Sequence, residues 1–188
     1  MDLEMPVVNG WKRSMKQISI FVIAATMAVS VSGAMTFSAE DADDKSSAIF
    51  GIEIPPGYRD WRLILVAHEE GNLNDLRAIL GNDVAINASR EGKLPYPDGT
   101  IIARLAWGYD PLEESEKAFG RLQSFVAGSP KNGAQFMVKD SKKYVTTGGR
   151  GFAQFDNGKP ASEPMQNACF ACHATVKARD FVFNRYAP

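Results

Sequence analysis

The stretch Cys169-Phe170-Ala171-Cys172-His173, near the C-terminus, is the segment around which the rest of the chain has to fold. A Cys-x-x-Cys-His run is typical of a c-type haem attachment site. Two thiols three residues apart can bond covalently to one edge of a haem, and the adjacent histidine is then carried beneath the iron. The pattern predicts one covalently bound haem c, held through Cys169 and Cys172, with His173 as the proximal metal ligand.

Two other uses of the cysteine pair fit the sequence less well. The chain contains two cysteines and two histidines in all. A structural zinc site needs four ligands, and only His68 remains to supplement the motif. A disulfide or a thioredoxin-like redox pair would have no need of His173. Haem attachment is therefore the preferred interpretation.

The N-terminal segment has the order of parts expected of a secretory signal. Three basic residues precede an apolar run over residues 18–31, and three small residues, 32–34, follow it. The run is short for a bilayer span, so residues 1–34 are predicted to be a cleaved signal peptide, with an uncleaved anchor as the alternative. Export agrees with the motif, because bacteria attach haem c outside the cytoplasmic membrane. We expect a periplasmic protein with no membrane attachment after cleavage.

Removing the signal leaves 188 − 34 = 154 residues, the size of one domain. Residues 35–49, with several Asp, Ser and Ala, are predicted to be a flexible leader, and residues 50–188 to be the haem domain. The signal removes three of the 21 basic and two of the 22 acidic residues, which leaves 18 against 20. This slightly acidic balance gives no reason to expect nucleic-acid binding.

Short apolar runs separated by turns dominate residues 50–188. A helix over residues 83–91, capped by Asn82, and a helical continuation of the motif over 174–178 are the clearest helical signals. Residues 123–130 are predicted to be a loop. This pattern favours an α+β fold, predominantly an antiparallel β-sheet with a few short helices, over a four-helix bundle. The predicted strands cover residues 61–67, 76–80, 100–107, 134–138, 151–155 and 180–186.

Five blocks of sequence carry a family resemblance. They are residues 56–61, 76–83, 97–99, 136–140 and 169–186. Together they resemble the cytochrome P-460 family, which includes the cytochromes c′-beta, over about residues 50–188. The resemblance implies an antiparallel sheet, a homodimer, and one haem with a histidine proximal ligand and an open distal face. Members of this family oxidise hydroxylamine, or bind nitric oxide and other small ligands.

The departures from that family concern the distal side of the haem. Hydroxylamine-oxidising members carry a lysine cross-linked to the macrocycle and a distal carboxylate. Here the strand over residues 100–107 presents Arg104, whose guanidinium stays protonated and is a poor nucleophile. We expect Arg104 to line the haem pocket, or to pair with a carboxylate or a haem propionate. Residues 118–138 contain no Asp or Glu, and Phe119, Phe125 and Phe136 are the distal-pocket candidates.

The sixth coordination position is predicted to be open to a small gaseous or nitrogenous ligand. His68 sits at the polar end of a predicted strand, which is typical of a surface position, and Met137 lies between Phe136 and Val138, which is typical of a core position. The expected function is reversible binding of nitric oxide or a similar ligand. A haem enzyme oxidising hydroxylamine or nitric oxide and a simple electron carrier with both axial positions filled are the alternatives. No redox partner is indicated.

Overall fold

A computed structural model describes residues 49–183 and 185–187. The predicted signal peptide, and all of the predicted leader except Ile49, lie outside these residues. No helix within the described ranges is long and apolar enough to cross a membrane. The strands form one six-stranded antiparallel sheet in the order of the sequence. They are β1 (Arg62–Glu69), β2 (Asp75–Gly81), β3 (Ile101–Pro111), β4 (Phe125–Lys139), β5 (Arg150–Asp156) and β6 (Lys159–Pro160).

Three short α-helices interrupt or follow this meander. They are α1 (Asp83–Arg90) between β2 and β3, α2 (Glu113–Phe119) between β3 and β4, and α3 (Glu163–His173) after β6. Single 3₁₀ segments cover Tyr58–Asp60, Val145–Thr147 and Ala174–Arg179. The predicted α+β architecture, with its mainly antiparallel sheet, is confirmed.

Helix α1 begins where the sequence predicts, because Asn82 supplies the cap. Its Oδ1 accepts a hydrogen bond from the Ala85 amide at 3.0 Å, and Asp83 places negative charge at the positive end of the helix. A Cβ at Gly81 would lie 2.8 Å from the Cβ of Ala85. Glycine at the end of β2 therefore lets α1 approach the sheet closely.

The loop prediction for residues 123–130 is wrong, because β4 starts at Phe125. The glycine, serines and proline of this segment are typical of turns, yet the chain from Phe125 to Pro130 pairs with the long strand β3 between Trp107 and Pro111. Asn132 and Gly133 have positive φ angles of 55° and 54° and interrupt the register between Lys131 and Ala134. These two turn-forming residues make a local irregularity in β4, and the pairing of β4 with β3 continues on both sides of it.

The predicted last strand, residues 180–186, is also wrong. Asp180 and Phe181 have φ angles of 53° and 65°, in the left-handed region, where an extended strand cannot continue. The described residues of this segment form a turn and irregular chain. The helical continuation after the motif is present as the 3₁₀ segment, and α3 itself starts six residues before Cys169.

Candidate functional site

Helix α3 and the strands β1 to β5 contribute side chains to one cavity of about 540 Å³. This volume lies within the ~300–1,000 Å³ usual for small-molecule and cofactor sites. Cys169, Cys172 and His173 line it from the helix, and Arg104 and Gln135 line it from the sheet. Four of these five residues were singled out in the sequence, and Gln135 was not.

The helical spacing of the motif explains how its three residues reach one cavity. Cys172 and His173 follow Cys169 by three and four residues, which places all three on the same side of α3. Phe170 anchors the helix, with its ring centroid 6.2 Å from that of Phe152 in β5. Both thiols are free of disulfide bonding, and burial raises the pKa of the Cys169 thiol. The pair is available for bonding to a cofactor in the cavity.

The ring of His173 is oriented by a backbone carbonyl. Its Nδ1 lies 2.6 Å from the Phe181 oxygen, and because a carbonyl can only accept, Nδ1 carries the proton. Burial lowers the pKa of His173, the hydrogen bond to Phe181 opposes this, and the charge of Arg150 adds to the lowering. The neutral ring therefore keeps its lone pair on Nε2, which is the atom a metal would bind.

The sheet presents a polar row to the cavity. Register places Arg104 opposite Gln135, and Gln135 opposite Gln154, on three adjacent strands. Arg104 Nη1 donates to Gln135 Oε1 at 3.0 Å, and Gln135 Nε2 donates to Gln154 Oε1 at 2.7 Å. Residues two positions along these strands share the same face and form an apolar row. That row is Ile102, Met137 and Phe152.

A buried carboxylate orders the end of the polar row. Asp75 is fully buried and accepts from Arg104 Nη2 at 2.6 Å and from Arg77 Nε at 2.8 Å. Arg77 also pairs with Glu69 at 2.9 Å. Burial and the neighbouring charge of Arg77 lower the pKa of Arg104, while Asp75 and Glu69 raise it. Asp75 and Gln135 were not identified from the sequence. Each is a polar residue next to the apolar run of a predicted strand, and that position could have indicated a role inside the fold.

The three phenylalanines predicted for the distal pocket are placed differently. Phe119 and Phe125 are 64% and 46% exposed and lie outside the cavity lining. Phe136 does line the cavity. Its position in β4 alternates with Gln135, however, and its ring packs edge-on against Tyr58 and Phe155. The sheet side of the cavity therefore carries polar groups, among them Arg104, Gln135 and Gln154, beside the rings of Phe136 and Phe152, and not the wholly aromatic wall that was expected.

The two candidates for the sixth iron ligand, His68 and Met137, lie in different parts of the fold. His68 is exposed, and its ring packs against Tyr109 at a centroid distance of 5.2 Å, away from the cavity. Met137 is 7% exposed and lines the cavity. Of the two, only Met137 lies where a side chain could approach a cofactor.

The donor set of the cavity fits a haem. Two free thiols and a neutral imidazole with an available nitrogen lie on one side, as attachment through the motif requires. Nη2 of Arg77 is buried and has no acceptor among the residues that the structure describes. A buried cationic donor without an acceptor is costly, and a haem carboxylate or another anion in the cavity would satisfy it.

The comparison with known families agrees with this geometry. The family profile described as Cytochrome P460 matches residues 55–184, which is more than half of the chain. A search of curated proteins found no match. The matched range contains the motif, Arg104 and the other cavity residues named above. The chain therefore belongs to the cytochrome P460 family of haem-binding cytochromes.

Proposed function

We propose that this protein is an exported, mono-haem c-type cytochrome that binds nitric oxide or a similar small ligand. Cys169 and Cys172 would hold the porphyrin, and His173 Nε2 would bind the iron. The iron, when bound, supplies an electrophilic redox centre with one coordination position left for a ligand. The observation that carries the proposal is the convergence of both thiols and the carbonyl-oriented His173 on one cavity.

The polar groups facing the cavity favour ligand binding over proton-coupled oxidation. General-base catalysis needs a carboxylate with a free oxygen within hydrogen-bond reach of the substrate. Both oxygens of Asp75 already accept from arginines. Glu69, the carboxylate that lines the cavity, is half exposed and is held through Oε2 by the guanidinium of Arg77, which keeps it in its ionised, paired state at the edge of the polar row. Arg104 and Gln135 instead offer N–H donors, which can hydrogen-bond to a ligand but cannot take up its proton. We therefore expect reversible nitric oxide binding with little or no hydroxylamine oxidation.

The hydroxylamine-oxidising alternative would require a lysine joined to the macrocycle. No lysine is among the described residues that line the cavity. Lys117 pairs with Glu113 on α2 with its side chain 77% exposed, and Lys93 lines a different pocket. Turnover with hydroxylamine and an artificial electron acceptor tests this alternative. Rapid turnover, or a haem peptide carrying a cross-linked lysine, would make the enzyme the correct assignment.

The electron-carrier alternative has one observation in its favour, the position of Met137 in the cavity lining. A thioether bound to the iron would fill the sixth position. A low-spin spectrum of the ferrous protein that becomes high-spin in Met137→Ala would establish the carrier. A high-spin wild-type spectrum that changes immediately on adding nitric oxide would support the open site.

The central claim of covalent attachment has a direct test. Intact mass of the exported protein should show the chain plus one haem that survives denaturation. His173→Ala should leave the thioether bonds possible while weakening or abolishing proximal ligation. Haem that extracts freely into acidified organic solvent would refute the assignment of Cys169 and Cys172.

We also propose that the protein acts as a homodimer. Four large apolar residues around the end of α2 and the start of β4 are exposed, and a second copy of the chain is the partner expected to cover them. This would explain why two of the predicted pocket phenylalanines lie at the surface. The residues are Phe119, Leu122, Phe125 and Val126, which are 64%, 46%, 46% and 43% exposed.

A further inference from the structure

The carbonyl that orients His173 belongs to an unusual turn. Asp180 and Phe181 both have left-handed φ angles, 53° and 65°. Residues other than glycine avoid this region because Cβ crowds the backbone. The conformation costs more free energy for Phe than for Asp or Asn. Two such residues in succession persist only where surrounding contacts hold them. The turn is therefore expected to be fixed by its side chains.

The carboxylate of Asp180 accepts hydrogen bonds from three donors that lie on three separate segments of the chain. Oδ1 accepts from Lys139 Nζ, at the end of β4, at 2.7 Å. Oδ2 accepts from Arg150 Nη2, at the start of β5, at 2.5 Å, and from the Tyr96 amide at 2.9 Å. The Asp180 side chain is 7% exposed. These contacts tie the turn to the sheet and to the loop before β3.

Arg150 makes this cluster sensitive to the charge of Asp180. Its side chain is fully buried, and Asp180 is its ion-pair partner. Its Nε and Nη1 have no acceptor within the described part of the chain, and its guanidinium lies 5.3 Å from the Tyr96 ring centroid. Without the carboxylate, Arg150 and Lys139 would be two buried cations with no ion-pair partner among the described residues.

The second residue of the turn is held by packing. The Phe181 ring is 4% exposed and lies 6.0 Å, centroid to centroid, from Phe170 on α3. A Cβ at Gly148 would overlap this ring, so glycine there leaves the space that the ring fills. Asp180 is tied to the sheet and the Phe181 ring is enclosed. The Phe181 carbonyl therefore has little freedom to turn away from His173.

We propose that Asp180 is a positioning residue for the proximal ligand. Its carboxylate locks the turn whose Phe181 carbonyl accepts the His173 Nδ1 proton, and thereby sets the orientation and basicity of the imidazole. A ligating histidine that donates its second N–H to a carbonyl is held in one tautomer and binds its metal more strongly. This inference rests on the proposed function, since it assumes that His173 binds the haem iron.

The test compares Asp180→Asn with the control Asp98→Asn in the haem-loaded protein. Asp98 also ties a loop to a neighbouring segment, by accepting from Ser141 at 2.6 Å and 2.8 Å. It acts on Lys139 and Arg150 only through its charge, without a hydrogen bond to either, so it controls for the loss of a nearby negative charge. The readouts are the iron–histidine stretching frequency of the ferrous protein, measured by resonance Raman, and the reduction potential. Asp180→Asn should lower the frequency and raise the potential, because a weaker hydrogen bond and a lost negative charge act in the same direction. Asp98→Asn should leave the frequency unchanged.

A third variant separates charge from positioning. Lys139→Met removes a buried cation but leaves the contacts of Asp180 with Arg150 and Tyr96. It should lower the potential while keeping the wild-type frequency. If Asp180→Asn does not fold, Arg150→Lys replaces it. A lysine keeps the charge but is shorter and cannot reproduce the guanidinium geometry at Asp180 Oδ2, so the turn is held less firmly and the frequency should fall by a smaller amount.

The outcomes distinguish this inference from the proposed function. A folded, haem-loaded Asp180→Asn protein with the wild-type frequency would overturn the positioning role, and so would an unchanged frequency in Arg150→Lys if that variant is the one used. A wild-type protein without covalent haem, or a His173→Ala protein with an unaltered haem spectrum, would instead refute the proposed function.

Discussion

The two ion pairs of equal length in this fold should contribute very differently to its stability. Arg104–Asp75 and Arg62–Asp83 both measure 2.6 Å, but Asp75 is fully buried, whereas the Asp83 side chain is 88% exposed. Asp75→Asn leaves Arg104 without its ion-pair partner, and leaves Arg77 with only the half-exposed Glu69. Breaking a buried pair in this way costs about 3–5 kcal/mol. We take the lower end, about 3 kcal/mol, because both arginines keep some contact with solvent.

The assay is urea denaturation of the haem-loaded protein, with Asp83→Asn as the matched control. With a denaturant slope of about 2 kcal/mol per molar, Asp75→Asn should lower the midpoint by roughly 1.5 M. Asp83→Asn should cost at most about 1 kcal/mol, because exposed pairs and single charges near a helix start contribute little. Equal midpoint shifts for the two variants, or a loss below about 1 kcal/mol for Asp75→Asn, would refute the assignment of Asp75 as the charge that orders the polar row.

Three further predictions concern the N-terminus, the dimer and the cap of α1. N-terminal sequencing of the exported protein should begin near Met35, and recovery of intact residues 1–34 would count against export. Light scattering at micromolar concentration should give a dimer mass for the wild type and a lower mass for Phe125→Ser; a wild-type monomer would remove the dimer proposal alone. Asn82→Ala should destabilise the protein by about 1 kcal/mol more than Asn82→Asp in thermal melts, because both variants lose the hydrogen bond to the Gly99 carbonyl but aspartate keeps the oxygen that accepts from Ala85. Equal melting temperatures would show that the cap contributes nothing.

Local signals predicted those parts of the fold that local interactions decide. The helix after Asn82 is predicted to within one residue at its end, and the strand over residues 100–107 to within one residue at its start, because capping and apolar patterning act over a few neighbouring residues. The strand continues to Pro111, four residues beyond the prediction, where it pairs with the missed first part of β4. The first half of β4 was missed because its Gly, Pro and Asn residues favour turns, while pairing with β3 over several residues outweighs that preference. The last predicted strand failed for the opposite reason. The apolar alternation of residues 180–186 is real, but the ion pairs of Asp180 with two strands hold the chain in a turn.

The sequence by itself determined the family of this protein. It also identified residues 169–173 as a haem attachment motif, because all the residues of a Cys-x-x-Cys-His run lie within five positions of the chain. Only the tertiary structure decided what faces that motif. Arg104 was expected near the cofactor, but its partners Asp75 and Gln135 lie 29 and 31 residues away in the chain and meet it only through strand register. The carbonyl that orients His173 depends likewise on Asp180, whose donors come from residues 96, 139 and 150. Such contacts arise from the pairing and burial of distant segments, which no local pattern of residues encodes.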